Sequence, residues 1–227
     1  MSNVGTPDII DLRELRARAP SAIAGARCLA TAPVRESSHM TTPADPVPRQ
    51  QRALKTMLFA DIAGYSRMRE ASLLVFQQRF LDLAAALIAD SPVPPLEAKT
   101  WGDALYAVFE APRDGAAFAL TLLERMQGVD WKGAGLFDAG RIRIALHAGP
   151  VFCGFDPVME RDSHFGTSVT RTARIEPVTP PGMIYTSEAF AAALASTGQR
   201  EYALEYIGSL ALAKGYGESR IYRLDSR

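Results

Sequence analysis

Cysteine is scarce in this chain of 227 residues: Cys28 and Cys153 are the only two, and no CxxC pair occurs. That excludes a disulfide-framed fold and points to a reducing, cytoplasmic setting. Excess charge of either sign is also missing, since Lys+Arg and Asp+Glu both number 25. Bulk electrostatic attraction to nucleic acid or to an anionic membrane is therefore not expected, and neither is taken as a partner. No uninterrupted apolar run approaches the roughly 18–20 residues of a membrane span. The opening "MSNVGTPDIIDLRELRARAP" has no continuous apolar segment of the secretory kind. What remains, at 48% hydrophobic and 22% charged residues, is ordinary for one globular domain with room for a core.

Composition divides the chain near residue 50. "APVRESSHMTTPADPVPRQQ" is rich in Pro, Ser, Thr and charge, with too little apolar surface to offset the entropy of ordering. Residues 1–50 are expected to be a disordered arm, with "DIIDLRELRARAPSAIAGARCLA" forming at most a short helix broken at Pro20. A translation start at Met40 is the other reading of this region. Residues 51–227 are expected to form the domain.

Regular patterning starts at Lys55. "KTMLFADIA" reads as a buried strand ending at Gly64, and Ser66 is placed to cap a helix carrying Leu73, Phe76, Phe80, Leu83 and Leu87. "SPVPP" stops that helix. "LEAKTW" and "ALYAVFE" flank Gly102-Asp103, a hairpin signal. A second helix starts at Pro112, with Ala117, Leu120, Leu123 and Met126 as its apolar row. "GRIRIALHAG" alternates Ile142, Ile144 and Leu146 with Arg141, Arg143 and His147, as a half-buried strand does. The order strand, helix, strand, strand, helix, strand predicts an α+β, ferredoxin-like βαββαβ core, an antiparallel sheet with helices packed on it. A helix at "SVTRTARIE", a strand at "GMIYTS", a helix at "EAFAAALAS" and two closing strands around "LAKGYGES" extend it.

In that arrangement Asp61, at the end of the first strand, and Asp103, in the hairpin turn, meet at one edge of the sheet. Paired carboxylates with little else titratable nearby suit Mg²⁺ or Mn²⁺, with phosphate and water completing the shell. Two such ions about 3.5–4 Å apart can activate an attacking oxygen and stabilise a leaving pyrophosphate. Taken singly, Asp61 also reads as a cap of the Gly64 turn and Asp103 as the polar residue of a hairpin.

"FADIAGYS" and "KTWGDALYAVF" resemble the catalytic domain of class III nucleotidyl cyclases, the adenylate and guanylate cyclase superfamily. "RIRIALHAGPVFCG" is similar to that family's fourth-to-fifth strand hairpin, "FGTSVTRTARIE" to its Gly-x-x-Val-Asn-x-x-x-Arg helix, and "AKGYGESRIYRL" to its closing Lys-Gly segment. The likeness runs in order from Lys55 to Leu224. It implies that Asp61, Ile62 and Asp103 hold two Mg²⁺ or Mn²⁺ ions, and that amides of Ala63, Gly64 and Tyr65 cradle triphosphate. It also implies that Lys99 reads the base, Arg174 stabilises charge on the phosphoryl oxygens and Lys214 contacts the terminal phosphates. A homodimer with two equivalent interface sites is implied as well. Read as residues alone, Arg174 is equally a helix cation paired with Glu176 or Asp162, and Lys214 an edge-strand charge. His147 and Cys153 read as packing residues. His164 reads chiefly the same way, with an approach to the base as its second reading.

The chain departs from the family pattern in places. Thr170 stands where asparagine usually orients the ribose, Ser163 occupies the second base-reading position, and Trp101 replaces an aliphatic residue beside the base pocket. A bulky indole there disfavours a purine, and a lysine donor suits a uracil carbonyl. With no sensor domain after the cyclase segment, the chain resembles the bacterial pyrimidine cyclases of Pycsar antiphage defence. That resemblance implies UTP as substrate, cyclic UMP as product and a downstream effector that binds it. It leads to the expectation that Trp101→Ile with Ser163→Asp shifts preference towards ATP. An adenylate cyclase making cyclic AMP, and a nucleotide-binding regulatory module without catalysis, are the alternatives.

Overall fold

A computed structural model of the chain describes residues 52–132 and 141–227. The expected arm, residues 1–50, lies outside them. The elements in order are β1 (Arg52–Ile62), α1 (Glu70–Asp90), β2 (Glu97–Trp101), β3 (Ala104–Phe109), α2 (Pro112–Gly128), β4 (Ile142–Asp156) and β5 (Arg161–Phe165). They are followed by α3 (Thr167–Ile175), β6 (Ile184–Ser187), α4 (Glu188–Ser196), β7 (Tyr202–Ala211) and β8 (Glu218–Ser226). The strands form one sheet in the order β2-β3-β1-β4-β6-β8-β7, and β5 pairs β4 outside that path. Along β2, β3, β1 and β4 each strand is antiparallel to its neighbour, as the ferredoxin-like core requires. The sheet as a whole is mixed, because β6 runs parallel to β4. A parallel neighbour needs a long crossover, which β5 and α3 supply.

Strand alternation gives the sheet two different faces. Leu58, Ala60 and Ile62 of β1, Leu105, Ala107 and Phe109 of β3, and Ile142, Ile144 and Leu146 of β4 point to the side covered by α1 and α2. There they meet Phe76 and Phe80, whose full burial contributes about 1.5–3 kcal/mol each. By length and hydropathy α1 could cross a membrane, yet Phe76, Phe80, Ala84 and Leu87 lie in this core. The other face carries a smaller cluster of Met57, Tyr106, Val108 and Val151, and the charged residues stand beside it.

Several local expectations change. Ser66 caps nothing: a single 3-10 turn, Tyr65–Arg67, follows Gly64, and α1 begins only at Glu70 with Arg69 before it. Gly64 takes φ 88° to make that turn. On α2 the buried row is Ala116, Ala119, Leu122 and Met126 with Phe118, while Ala117 is exposed. Met126 of the expected row is buried and Leu120 and Leu123 pack at the edge of the core; packing of Phe118 on Phe109, ring centroids 5.1 Å apart, centres the buried stripe beside them. The fourth-to-fifth strand hairpin that "RIRIALHAGPVFCG" suggested is present, but its turn lies beyond that segment. β4 runs straight through Gly149-Pro150, and the turn comes after Asp156. Ile144 donates its amide to Met183 beside β6, so even-numbered β4 residues aim N–H to that side. Pro150, lacking one, falls between the residues paired with β6 and those paired with β5, where no ladder bond is lost.

Gly149 answers to a different need. A Cβ there would lie 2.5 Å from Ser168 Oγ and 2.8 Å from His147 Nε2, so α3 packs on β4 only over a glycine. Gly149→Ala should lower unfolding stability by about 1–3 kcal/mol through overpacking, read as a shifted denaturant midpoint. An unshifted midpoint would mean that α3 is not held by this approach. His147 is buried, with Nδ1 2.7 Å from Ser187 Oγ. Burial, and then the charge of Arg171, pushes its pKa down to about 4, so it is a neutral packing residue at pH 7.

Candidate active site

Paired residues on antiparallel strands share a face, so the register lays the site out in rungs. Trp101, Ala104, Asp61 and Arg143 form one; Lys99, Tyr106, Phe59 and Ala145 form the next; Glu97, Val108, Met57 and His147 form the third. The acidic and base-reading candidates thus occupy the same face of the sheet, away from α1 and α2.

On the first rung Asp61 meets Asp103 from the β2–β3 turn. Burial, followed by the hydrogen bond and charge of Asp61, pushes the Asp103 carboxyl up to about 7. The amides of Asp103 and Ile62 work against that rise. The Ile62 side chain is buried on the opposite face, so only its backbone is available here. Arg143 donates to Asp61 Oδ2. Its Nε stands 2.8 Å from Glu176 Oε1 as an ion pair, though without hydrogen-bond alignment. Glu176 is itself raised to about 7, first by burial, with Asp61 and Asp103 adding to the rise against Arg143. Carboxyls whose charge is disfavoured by burial and by one another would gain from a divalent cation between them. No group of three or more metal-ligating residues occurs among the described residues. A cation here would therefore rest on Asp61 and Asp103 plus oxygens from outside the chain, as phosphate and water would provide. Sequence reading passed over Arg143 as the polar face of a strand. Its register opposite Asp61 was the missing signal.

The turn bearing Asp103 is tied to the start of α1. Tyr65 donates its hydroxyl hydrogen to Gln77 Oε1 at 3.0 Å, and Gln77 Nε2 donates to the Gly102 carbonyl at 2.8 Å. The Tyr65 ring packs edge-on against Phe76. Ala63 corrects the expected amide cradle, because its N–H closes the sheet against the Arg141 carbonyl at 3.0 Å. Gly64 and Tyr65 remain for that role.

The second and third rungs build a polar network with β5, which reaches across this face. Lys99 Nζ lies 2.8 Å from Ser163 Oγ and 2.6 Å from Glu97 Oε1. Ser163 Oγ donates to Glu97 Oε1 at 3.1 Å, while the His164 backbone N–H and Nδ1 approach Glu97 Oε2 at 2.7 and 2.8 Å. Burial alone would raise the Glu97 carboxyl, but the bonds from His164 and Lys99 outweigh it and hold it near 2. Lys99 and Ser163 were the base-reading candidates of the sequence, His164 had that role only as its second reading, and Glu97 was not singled out. Trp101, expected to crowd this pocket, is 88% exposed within the chain.

Thr170 is exposed on α3, with its hydroxyl 3.5 Å from the Gly166 carbonyl of its own helix. Arg174, one turn on, is half-buried and pairs with neither Glu176 nor Asp162; Glu176 is engaged by Arg143. Lys214 is exposed in the turn between β7 and β8 and adopts φ 59°. A separate groove of about 340 Å³, lined by Leu87, Val93, Phe118 and Tyr202 among others, contains none of these residues.

Known proteins give the same picture. The adenylyl cyclase CyaB from P. aeruginosa superposes with a TM-score of 0.67 at 19% identity, covering 78% of this chain and 97% of that one. The guanylate cyclase domain of RhGC from Catenaria anguillulae, solved with GTP, gives 0.64 at 21% identity over 78% and 99%. A dimeric guanylyl cyclase domain of the RhoGC fusion protein from Blastocladiella emersonii gives 0.63 at 20% over 78% and 99%. At these identities the likeness establishes the fold. No curated protein matches the chain. The adenylate and guanylate cyclase catalytic domain family, however, matches residues 47–226. The chain belongs to that family and is a nucleotidyl cyclase catalytic domain.

Proposed function

We propose that this domain converts a nucleoside triphosphate, UTP by preference, to the 3′,5′-cyclic nucleotide and pyrophosphate. The observation that carries the reading is the meeting of Asp61 and Asp103 on the same sheet face as the Lys99–Ser163 pair. In the reaction the ribose 3′-oxygen bonds to the α-phosphorus, the bond from that phosphorus to the bridging oxygen breaks, and the hydroxyl proton leaves to solvent. Bound Mg²⁺ or Mn²⁺ would supply Lewis-acid polarisation of the phosphate oxygens. Asp61 and Asp103 are the residues to hold it, with the Ile62 backbone beside them. The chain's own part is positioning and charge. Arg143 offers a guanidinium to the triphosphate once the Asp61 carboxylate is otherwise engaged, with Glu176 retaining its Nε. Gly64 and Tyr65 lend amides at a turn. Arg174 meets the phosphoryl oxygens, Lys214 the terminal phosphates, and the Thr170 hydroxyl the ribose. Two chains related by a twofold axis would form two such sites, each combining the acidic half of one with Lys99, Thr170, Arg174 and Lys214 of its partner.

For the base, Glu97 is the carboxylate that pairs with Lys99 among the described residues, and an adenine amine would seek a carboxylate acceptor. Its oxygens are already taken by Lys99, Ser163 and His164, which leaves Lys99 and Ser163 to meet the base. Trp101, exposed on the same face, offers an indole for stacking. The product then serves as a second messenger read by a cyclic-nucleotide-binding effector, the antiphage role that the Pycsar likeness implies. Incubation with all four labelled NTPs and Mn²⁺, followed by product identification, is the test. Cyclic UMP is expected, and cyclic AMP as main product would overturn the base assignment alone. Trp101→Ile should narrow the preference for UTP over ATP by about tenfold; an unchanged preference would remove the indole from base selection. Ser163→Asp, the partner exchange that sequence suggests, is a poor probe because it places a second carboxylate where Ser163 Oγ now lies 3.1 Å from Glu97 Oε1.

A further inference from the structure

We propose that Glu97 is the positioning residue for base selection, setting the directions of Lys99, Ser163 and His164 together. The inference rests on the cyclase reading above and deepens it. The Glu97 side chain is 2% exposed, and a buried carboxylate persists only when its lone pairs are met. Oε1 accepts the Ser163 hydroxyl and forms an ion pair with the Lys99 ammonium; Oε2 faces the backbone amide and Nδ1 of His164. Three hydrogen-bond donors and one cation thus enclose the two oxygens, which engages Glu97 inside the chain rather than with a ligand.

Its effect is felt through what it leaves the others. The Lys99 ammonium is drawn to Glu97 as an ion pair and donates one hydrogen to Ser163 Oγ, which leaves it donor capacity for a ligand. Ser163 gives its hydrogen to Glu97 and receives from Lys99, keeping one lone pair. The pair therefore presents a donor beside an acceptor, in fixed order. Uracil offers the complement on one edge, a carbonyl next to N3–H. An ionised Glu97 also accepts only, which fixes a hydrogen of His164 on Nδ1. Without this anchor Lys99 is a flexible four-carbon chain that points in no one direction.

A purely structural role fits less well. β2 is already fastened by five register pairs to β3, and β5 by five to β4. A buried ion pair is in general a weak source of stability. What Glu97 adds beyond strand pairing is orientation.

The test compares wild type, Glu97→Gln and Glu97→Asp as full chains, using kcat and KM for all four NTPs with Mn²⁺. Binding of the α,β-methylene analogues of UTP and ATP, measured by calorimetry, is the second arm. Glutamine keeps the size but replaces an acceptor oxygen with N–H groups facing Lys99 or His164. The ratio of kcat/KM for the preferred nucleotide over the next should fall about tenfold or more in Glu97→Gln, chiefly through KM. Aspartate keeps the charge and should recover part of that loss. It also carries the comparison if the glutamine variant melts early. A folded variant with wild-type selectivity and KM overturns the proposal. A wild-type chain that binds the analogues selectively and makes no cyclic product counts against the cyclase reading and leaves the role of Glu97 standing if Glu97→Gln erases the selectivity. Wild-type binding with no base preference in either arm overturns the proposal for Glu97.

Discussion

Asn at Asp61 or at Asp103 is expected to lower turnover roughly a thousandfold, because each removes a carboxylate oxygen from the pair proposed to hold a catalytic cation. The two variants should differ in stability. Asp103 is pushed up to about 7 by burial and by Asp61, so its neutral amide relieves a like-charge contact. Asp103→Asn should melt no lower than wild type in metal-free buffer. Asp61→Asn deprives Arg143 of one of its two carboxylate partners, Glu176 remaining, and should melt somewhat lower. Turnover assays with Mg²⁺ and Mn²⁺ beside thermal unfolding separate these effects. Wild-type turnover in either variant would defeat the two-carboxylate assignment, whatever the fold.

Arg174→Ala should reduce kcat by about two to three orders of magnitude with a much smaller change in KM, the pattern of an interaction made mainly in the transition state. The residue is half-buried at the end of α3 and forms no ion pair with another described residue, so its removal should leave the melting temperature unchanged. Lysine should restore only part of the rate, since a point charge does not reproduce the guanidinium fork. A kcat within a few-fold of wild type would return Arg174 to the role of an ordinary helix cation.

Features set by neighbours in sequence were legible before the structure. The alternation of Ile142, Ile144 and Leu146, the Gly102-Asp103 turn and the apolar spacing of Phe76 and Phe80 all depend on local geometry. Asp61 and Asp103 were legible because strand order alone brings them to one edge. What escaped depends on distant contacts. Glu97 lies in "LEAKTW" and, by itself, is an ordinary strand charge; it is buried only because β5, more than sixty residues later, reaches over the sheet. Arg143 reads as solvent-facing until the register sets it opposite Asp61. The centre of the α2 row that faces the core was read one residue off at Ala117 for the same reason, since Phe109 draws in Phe118. The unbroken run through Gly149-Pro150 looked like a turn because its tolerance for proline depends on a gap between two other strands.

β4 has a mechanical consequence. It stays in register with β1 from Ile142 to Phe152, carries Arg143 near one end and leads into the β5 arm, with Ser163 and His164, at the other. Within one subunit the acidic end and the Ser163–His164 end are thus mounted on the same stiff rod, and in the proposed dimer each serves a different one of the two sites. With no hinge between them, their separation is fixed like marks on a ruler. Any tightening around a bound nucleotide must then come from whole subunits sliding past each other, or from side chains swinging at the ruler's two ends.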